Sequence, residues 1–166
     1  MPLDLNGNII TSYSVSSGYF KNSIITNGLI CHLDAANKNS YNGSGTTWTD
    51  LRGNYNSTMY NSPTFNSTSP SNIQLNGSNQ YVELGSFFTY NNFAICLWVN
   101  PGSTQTQYAD IIDNNHTGTQ NFVLQQNSTT TNQYAFDVIG TSNSSSSGLF
   151  TLTANTWVFL SFVFNG

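Results

Sequence analysis

Two adjoining stretches decide the fold: GLICHLDAANKNSY at residues 28–41 and GSGTTWTDLRGN at residues 43–54. The first begins with an apolar run typical of a β-strand and continues into a polar segment rich in turn-forming residues. The second is a polar loop that contains Trp48 and Asp50. They mark the start of the predicted domain, residues 28–166, in which strand-like apolar runs recur, after an N-terminal arm at residues 1–27. The arm is either a loose terminus or an extended segment, with edge strands, that docks onto a neighbour.

Short apolar runs recur along the domain and predict β-strands. They are rich in aromatic and β-branched residues and are bounded by Asn, Gly, Ser or Pro. The runs are Leu29–Leu33, Ile73–Leu75, Tyr81–Leu84, Phe93–Val99, Tyr108–Ile112, Phe122–Leu124, Tyr134–Ile139, Leu149–Leu152 and Trp157–Phe164. Since no segment has a helical period, the pattern predicts an all-β sandwich or barrel.

Alternation within the runs predicts which faces are buried. Phe93–Val99 is apolar on both faces, which predicts a central strand covered on both sides, whereas Tyr134–Ile139 alternates apolar with more polar positions and predicts a strand with one exposed face. Between two other runs, Asn76 and Gly77 predict a tight hairpin turn in which the glycine supplies the positive φ.

Cysteine and aspartate positions point to structural roles. Cys31 and Cys96 lie in apolar runs, which predicts two buried thiols. A disulfide remains the alternative, because the sequence does not say whether the two residues meet. Asp34 and Asp50 each follow a strand-like residue, where a carboxylate accepts backbone N–H bonds in a turn.

Composition and charge exclude several classes of partner. Only 6% of residues are charged, the net charge is -4, and the cations are Lys21, Lys38 and Arg52. Nucleic acids and anionic membranes require clusters of Lys and Arg, so neither is expected as a partner. No apolar run approaches the roughly 20 residues of a membrane span. The N-terminal sequence has neither a basic start nor an apolar core, so no secretory signal is expected.

Six motifs in order resemble a known family. They are GLICHLDA, the Trp48 loop, SPTF at 62–65, IQLNGSNQYVEL, FAICLWVNP and TWVFLSFVFNG. They are similar to successive signatures of laminin G-like domains in the concanavalin A-like lectin/glucanase superfamily. The resemblance implies an antiparallel jelly-roll β-sandwich that binds glycans or proteins, or in some branches hydrolyses glycans. The combination of HLDA, SY and GSGTTW is similar to versions in structural proteins of tailed phages.

The resemblance also raises a question about the last strand. Members of the family continue past the equivalent of Asn165 with further closing strands. We therefore expect either a shortened chain without those strands or an open edge at Trp157–Phe164 that the arm or another subunit fills.

Carboxylate positions argue against catalysis. A retaining glycosidase needs two carboxylates about 5 Å apart, and hydrolases of this superfamily present them as Glu-x-Asp-x-x-Glu. Glu83 is the only glutamate and has no acidic residue nearby in sequence. Asp110 and Asp113 would point to opposite faces of a regular strand. We expect no enzymatic activity.

Two sets of residues are candidates for ligand binding. Oxygen ligands suit Ca²⁺, and a calcium site is a candidate at Asp110, Asp113, Asn114 and Asn115. The alternative is that these residues only shape a turn. Aromatic residues in or beside loops could stack on sugar rings or, alternatively, cover the edge of the core; they are Trp48, Tyr55, Tyr60, Tyr90 and Tyr108.

The expected function is a non-enzymatic structural protein of a tailed-phage virion, a surface decoration or a tail- or fibre-associated module. It would lie on the virion surface, contact other virion subunits through the arm and the open edge Trp157–Phe164, assemble as an oligomer, and contact glycans. The alternative is a bacterial carbohydrate-binding or adhesion module, a fragment of a larger secreted protein acting outside the cell.

Overall fold

The computed structural model describes residues 24–85, 92–114, 120–126, 131–140 and 144–165. The chain divides into two units, Met1–Ile30 and Cys31–Gly166. In the first unit, residues 24–30 contain a turn in which the Leu29 N–H donates to the Thr26 carbonyl. The predicted boundary after residue 27 stays a prediction. Within the described residues, no helix has the length and apolar character needed to cross a membrane.

Twelve strands lie within the described part of the second unit. In chain order they are β1 (Thr47–Trp48), β2 (Ser57–Tyr60), β3 (Thr64–Asn66), β4 (Asn72–Gln74), β5 (Tyr81–Glu83), β6 (Asn92–Val99), β7 (Asp110–Asp113), β8 (Gln120–Gln126), β9 (Gln133–Gly140), β10 (Ser144–Ser146), β11 (Phe150–Thr151) and β12 (Val158–Asn165). All their pairings are antiparallel. The predicted all-β antiparallel fold is confirmed.

The described strands form four sheets. β1, β2 and β5 make a three-stranded sheet with β2 in the middle, and β3 pairs with β4. A larger sheet has the order β10-β9-β8-β7, with β11 also paired to β9. β6 and β12 pair along eight residues each.

The hydrophobic core lies between the larger sheet and the β6–β12 pair. Its buried residues are Phe122, Leu124, Tyr134, Phe136, Val138, Leu152 and Leu160. Those on β8 and β9 recur at every second position, because successive side chains of a strand point to opposite faces. From β12, the ring of Phe162 stacks on Phe136 with the centroids 4.5 Å apart. Two antiparallel layers therefore pack face to face, as in a β-sandwich.

The outer face of β6 is exposed, so the prediction of a strand covered on both sides was wrong. Trp98 is 65% exposed, and its ring lies against that of Phe159 in β12, with centroids 5.3 Å apart. The prediction failed because an apolar face in the sequence does not reveal whether another layer of the fold covers it.

The two cysteines differ in exposure. Both are free thiols, but Cys96 is exposed and Cys31 is only partly buried. The prediction of two buried thiols is therefore wrong, most clearly for Cys96, which lies on the exposed face of β6 beside Ser161.

Two local predictions also need correction. Leu29–Leu33 is not a strand. The backbone of His32, in the second unit, forms hydrogen bonds with the loop: its N–H donates to the Asp50 side chain and its carbonyl accepts the Leu51 N–H. The predicted turn at Gly77 forms with φ 67°. However, it does not close a hairpin, because β4 pairs with β3 and β5 pairs with β2.

Side-chain hydrogen bonds explain why the turn at Asn76 needs no hairpin ladder. The Asn76 side-chain oxygen accepts the N–H groups of Ser78, Asn79 and Gln80. The Gln80 side chain accepts the Asn76 N–H and donates to the carbonyl of Ser62. Because side chains satisfy these backbone groups, the chain can pass from one sheet to another at this turn.

Candidate functional site

Asp50 anchors the loop that leads into the three-stranded sheet. Its side chain is buried and accepts hydrogen bonds from the backbone N–H groups of His32, Arg52, Asn54 and Tyr55. Burial alone would raise the pKa of this carboxyl, but the four amide bonds outweigh burial and hold it below the usual value. The predicted structural role of Asp50 is confirmed.

Cys31 lies beside this carboxylate. Burial, the negative charge of Asp50 and a hydrogen bond from the thiol to Asp50 together raise the pKa of Cys31 to about 11. The thiol therefore stays protonated at neutral pH and acts as a donor to the anchor rather than as a nucleophile.

Further bonds order the loop before β1. The Ser40 hydroxyl accepts the Asp34 N–H and donates to the carbonyl of Thr49 at 2.6 Å. The Tyr41 hydroxyl donates to the carbonyl of Gly45. These bonds hold β1 in place next to β2, where Trp48 pairs with Ser57.

Alternation in β2 creates an exposed aromatic surface. Ser57 and Met59 point inward and are buried, so Thr58 and Tyr60 point to the solvent side of the sheet. On β5, Tyr81 is the register partner of Tyr60. The two rings stack with centroids 4.7 Å apart and an interplanar angle of 13°.

We call Tyr60 and Tyr81 the tyrosine platform. Tyr60 is 37% exposed and Tyr81 is 49% exposed. Each ring has one face against the other, so a ligand would contact the part of the ring that remains exposed. The stacked pair presents its exposed apolar ring surface together with polar hydroxyl ends, which suits a ligand that is itself partly apolar and partly polar.

A row of polar side chains crosses the sheet beside the tyrosine platform. Glu83 is the register partner of Thr58, and Thr58 is the register partner of Thr47, all three on the exposed side. The hydrogen bond that Tyr60 donates to Glu83, together with the negative charge of that carboxylate, raises the pKa of the Tyr60 hydroxyl. We call Glu83, Thr58 and Thr47 the polar row; it offers a carboxylate acceptor and two hydroxyls next to the rings.

The aromatic residues that were predicted to bind sugar lie in different parts of the structure. Tyr60 belongs to the tyrosine platform. Trp48 is half-buried in β1, and its indole N–H is buried with no hydrogen-bond partner among the described residues. Tyr55 is half-buried, and Tyr90 lies outside the described residues. Tyr108 lies in the connection from β6 to β7, is 60% exposed and has a positive φ of 59°.

Tyr81 is not among the predicted site residues. The sequence predicts it as part of the strand Tyr81–Leu84, and its side chain points outward in the alternating pattern of YVE. Its position beside Tyr60 requires the pairing of β2 with β5, two segments separated along the chain by β3 and β4. The local sequence predicts which way the side chains of Tyr60 and Tyr81 point, but not that they lie side by side.

The predicted opposite orientation of Asp110 and Asp113 is wrong. The register of β7 with β8 shifts between Asp110 and Ile112, so Asp110 is opposite Gln125 while Asp113 is opposite Val123. Gln125 and Val123 share one face of β8, and the extra residue of this β-bulge brings both carboxylates to that face. Across the sheet, Val123 is also the register partner of Asp137.

The candidate calcium residues already have partners in the protein. Asp110 accepts a bond from the Gln125 side chain at 2.8 Å, and the Asn114 side-chain oxygen accepts the N–H of Phe122. Asn115 lies outside the described residues. Within the part of the chain that the structure describes, no three His, Cys, Asp or Glu side chains are grouped as metal ligands. The calcium site stays a prediction.

Comparison with protein families identifies the domain. The family model described as the concanavalin A-like lectin/glucanases superfamily matches residues 76–166, more than half of the chain. The chain belongs to this superfamily. The match includes β5 to β12 and therefore Tyr81 and Glu83, while Tyr60 on β2 precedes it. No curated protein and no solved structure matches the chain.

Proposed function

We propose that this lectin/glucanase-superfamily domain is a non-catalytic carbohydrate-binding module that holds a sugar ring against the tyrosine platform. The observation that carries the proposal is the stacked, exposed pair of Tyr60 and Tyr81 with Glu83 beside it. Membership of the superfamily supports carbohydrate binding in general, and the exposed rings support this position for the binding site.

Sugar chemistry suits this surface. The C–H groups on one face of a pyranose ring are apolar and pack on an aromatic face, while its hydroxyls need acceptors and donors nearby. The exposed ring surface of Tyr60 and Tyr81 meets the first need. Glu83 accepts from sugar hydroxyls, and Thr58 can both donate and accept. A carboxylate in this position also disfavours an anionic sugar directly on the rings.

Binding without hydrolysis is proposed on the same residues. Glu83 is the only glutamate in the chain, and its register neighbours along the polar row are Thr58 and Thr47, which are not acids. A retaining mechanism needs a second carboxylate about 5 Å away. Asp113 and Asp137 lie on a different sheet. Release of reducing sugar from any bound polysaccharide would overturn this part of the proposal.

The test is affinity electrophoresis in gels containing neutral polysaccharides such as xylan, mannan and mixed-linkage β-glucan. We expect at least one of them to retard the protein. Tyr60→Ala and Tyr81→Ala should each weaken that binding about threefold to tenfold, the range expected for loss of one aromatic contact. Tyr60→Phe, which keeps the ring and removes the bond to Glu83, should retain most of the binding.

Tyr108→Ala is the matched control, since it removes another exposed tyrosine, one that lies in the β6–β7 connection and not on β2 or β5. It should bind like the unchanged protein. Loss of binding in Tyr108→Ala with full binding in Tyr60→Ala and Tyr81→Ala would move the site to the β6–β7 connection and refute the platform.

A second candidate function is a structural role on the surface of a tailed-phage virion. The observation that favours it is the exposed apolar face of β6 and β12, where Trp98 and Phe159 lie together and Val163 is 66% exposed. Contiguous exposed apolar surface of this kind marks interaction sites, and a neighbouring virion subunit is the partner we propose. Among the described strands, β12 pairs only with β6, so its other edge could also join a neighbour.

Mass spectrometry of purified phage particles tests this second role. The protein should be present at a constant ratio to the major capsid or tail subunits. Its presence in culture supernatants of uninfected cells, and its absence from particles, would contradict the virion role and leave the carbohydrate-binding module as a secreted or cell-surface protein.

A further inference from the structure

A polar groove lies next to β1. Its volume is about 300 Å³, at the small end of the range for ligand pockets, about 300 to 1,000 Å³. All of its lining residues are polar or glycine, and they include Lys38, Asn39, Thr46 and Thr47. We call it the Lys38 groove.

The wall of the Lys38 groove is ordered by bonds within the protein. Ser40 is fixed between Asp34 and Thr49, and the side chain of Asn42 accepts the N–H and hydroxyl of Ser44. By contrast, the exposed side chains of Lys38, Thr46 and Thr47 have no hydrogen bond to any residue that the structure describes. The groove therefore combines a rigid wall with polar groups available to a ligand.

The Lys38 groove is continuous with the polar row. Thr47 lines the groove and is also the last member of the row, opposite Thr58, which is opposite Glu83. Neighbouring strands are about 4.8 Å apart, so the backbones at Thr47 and Glu83 are separated by about 10 Å. A ligand longer than one sugar ring can therefore contact the tyrosine platform and the groove together.

The two ends of this surface carry opposite charge. Glu83 is at the platform end, and Lys38 is at the groove end, where it forms no ion pair within the described part of the chain. An anionic group is repelled near Glu83 and attracted near Lys38. We infer that the module binds an oligosaccharide whose neutral ring lies on the tyrosine platform and whose acidic neighbour, a carboxylated or sulfated sugar, lies in the Lys38 groove. This inference rests on the proposed carbohydrate-binding function.

The sharpest test compares ligands that differ only in charge. A salt titration is less specific, because salt screens the attraction of an anionic ligand to Lys38 and also its repulsion from the protein's net charge of -4. The probes are hyaluronan oligosaccharides, which alternate a neutral with an acidic sugar, and the same oligosaccharides after chemical reduction of the carboxylates to alcohols. Sulfated oligosaccharides with the same neutral sugar, and their desulfated forms, are the second matched pair. Calorimetric titration measures each affinity.

We expect the acidic form of at least one pair to bind more tightly than its neutral form. Lys38→Gln should weaken binding of the acidic form about threefold to fivefold, as for loss of one exposed charge contact, and leave the neutral form unchanged. Arg52→Gln, which removes an exposed cation outside the groove, is the control and should change neither.

The outcomes separate this inference from the proposed function. The inference that the Lys38 groove binds an acidic sugar is overturned by equal affinity for the acidic and neutral forms, or by an unchanged acidic preference in Lys38→Gln. The tyrosine platform stands in either case if Tyr60→Ala still weakens binding. Failure of both the neutral polysaccharides and these probes to bind contradicts the platform and the groove together.

Discussion

The carboxylate of Asp50 accepts the backbone N–H of His32 at 2.7 Å, across 18 residues of the chain. The same side chain accepts three further amides from the segment that follows it, at Arg52, Asn54 and Tyr55. One buried carboxylate therefore joins the segment before the polar loop to the segment that enters β2. Tyr60 lies on β2, five residues after Tyr55, the last residue that this anchor holds.

Replacement of Asp50 should destabilise the domain strongly. In Asp50→Asn the side chain keeps its size but loses its charge, and at least one amide loses a good acceptor in a buried place. We expect the free energy of unfolding to fall by about 2 to 4 kcal/mol, measured by urea denaturation. Asp34→Asn is the control; Asp34 accepts one exposed amide, from Ala36, and its loss should cost less than about 1 kcal/mol. Equal effects of the two changes would contradict the anchor role.

Protonation of the Asp50 carboxylate should lower the stability of the folded protein in acid. The pKa of Asp50 in the folded protein lies below its ordinary value of 3.8, so the unfolded chain binds the proton more readily. The contribution of Asp50 is therefore complete above about pH 4 and is lost as the pH falls through the folded pKa. The free energy of unfolding, measured from pH 7 to pH 2, should decline below pH 4 less steeply in Asp50→Asn than in the unchanged protein. Parallel curves would show that other carboxylates cause the decline.

Thiol labelling should distinguish the two cysteines. Cys96 is exposed and should react first with iodoacetamide at pH 8. In Cys96→Ser the remaining thiol has its pKa raised from 9.0 to about 11. This shift lowers the thiolate fraction of Cys31 about a hundredfold. A more basic thiolate is about tenfold more nucleophilic, which offsets part of that loss. The raised pKa alone should therefore make Cys31 react about tenfold more slowly in the native protein than in the urea-unfolded protein. Equal native and unfolded rates, measured by mass spectrometry, would contradict both the burial of Cys31 and its contact with Asp50.

Two aliphatic residues of similar size test the position of the core. Leu124 is fully buried and Ile139 is 54% exposed, both within the larger sheet. Leu124→Ala should lower the free energy of unfolding by about 2 to 5 kcal/mol, while Ile139→Ala should change it by about 0.5 kcal/mol. Urea denaturation of both variants measures the difference. A small effect at Leu124 would contradict the packing of the larger sheet against β6 and β12.

Parts of this fold could be predicted because they depend on local pattern. The alternation in Tyr134–Ile139 predicted one buried face, and Tyr134, Phe136 and Val138 are buried. The turn propensity of Gly77 and the capping role of Asp50 were likewise predictable, since both concern a few neighbouring backbone groups. The β-bulge at Asp110 was not predictable, because it concerns how β7 and β8 align rather than the sequence of either one alone.

The candidate site shows the same limit. Tyr60 could be selected as an aromatic residue beside a loop, but its partner Tyr81 lies on β5, and the two meet only because β2 pairs with β5. The exposure of Trp98 was likewise a question of whether a further layer covers β6, which no alternation pattern can reveal.

By itself, the sequence determined the class of fold, the family and the absence of the cation clusters that nucleic acids require, because composition, alternation and turn residues act through neighbouring positions. The tertiary structure alone decided that Tyr60 stacks on Tyr81 with Glu83 alongside, and that Thr47 links this surface to Lys38. The physical reason is that strand pairing sets the register between segments far apart in the chain, and that register determines which side chains share a face.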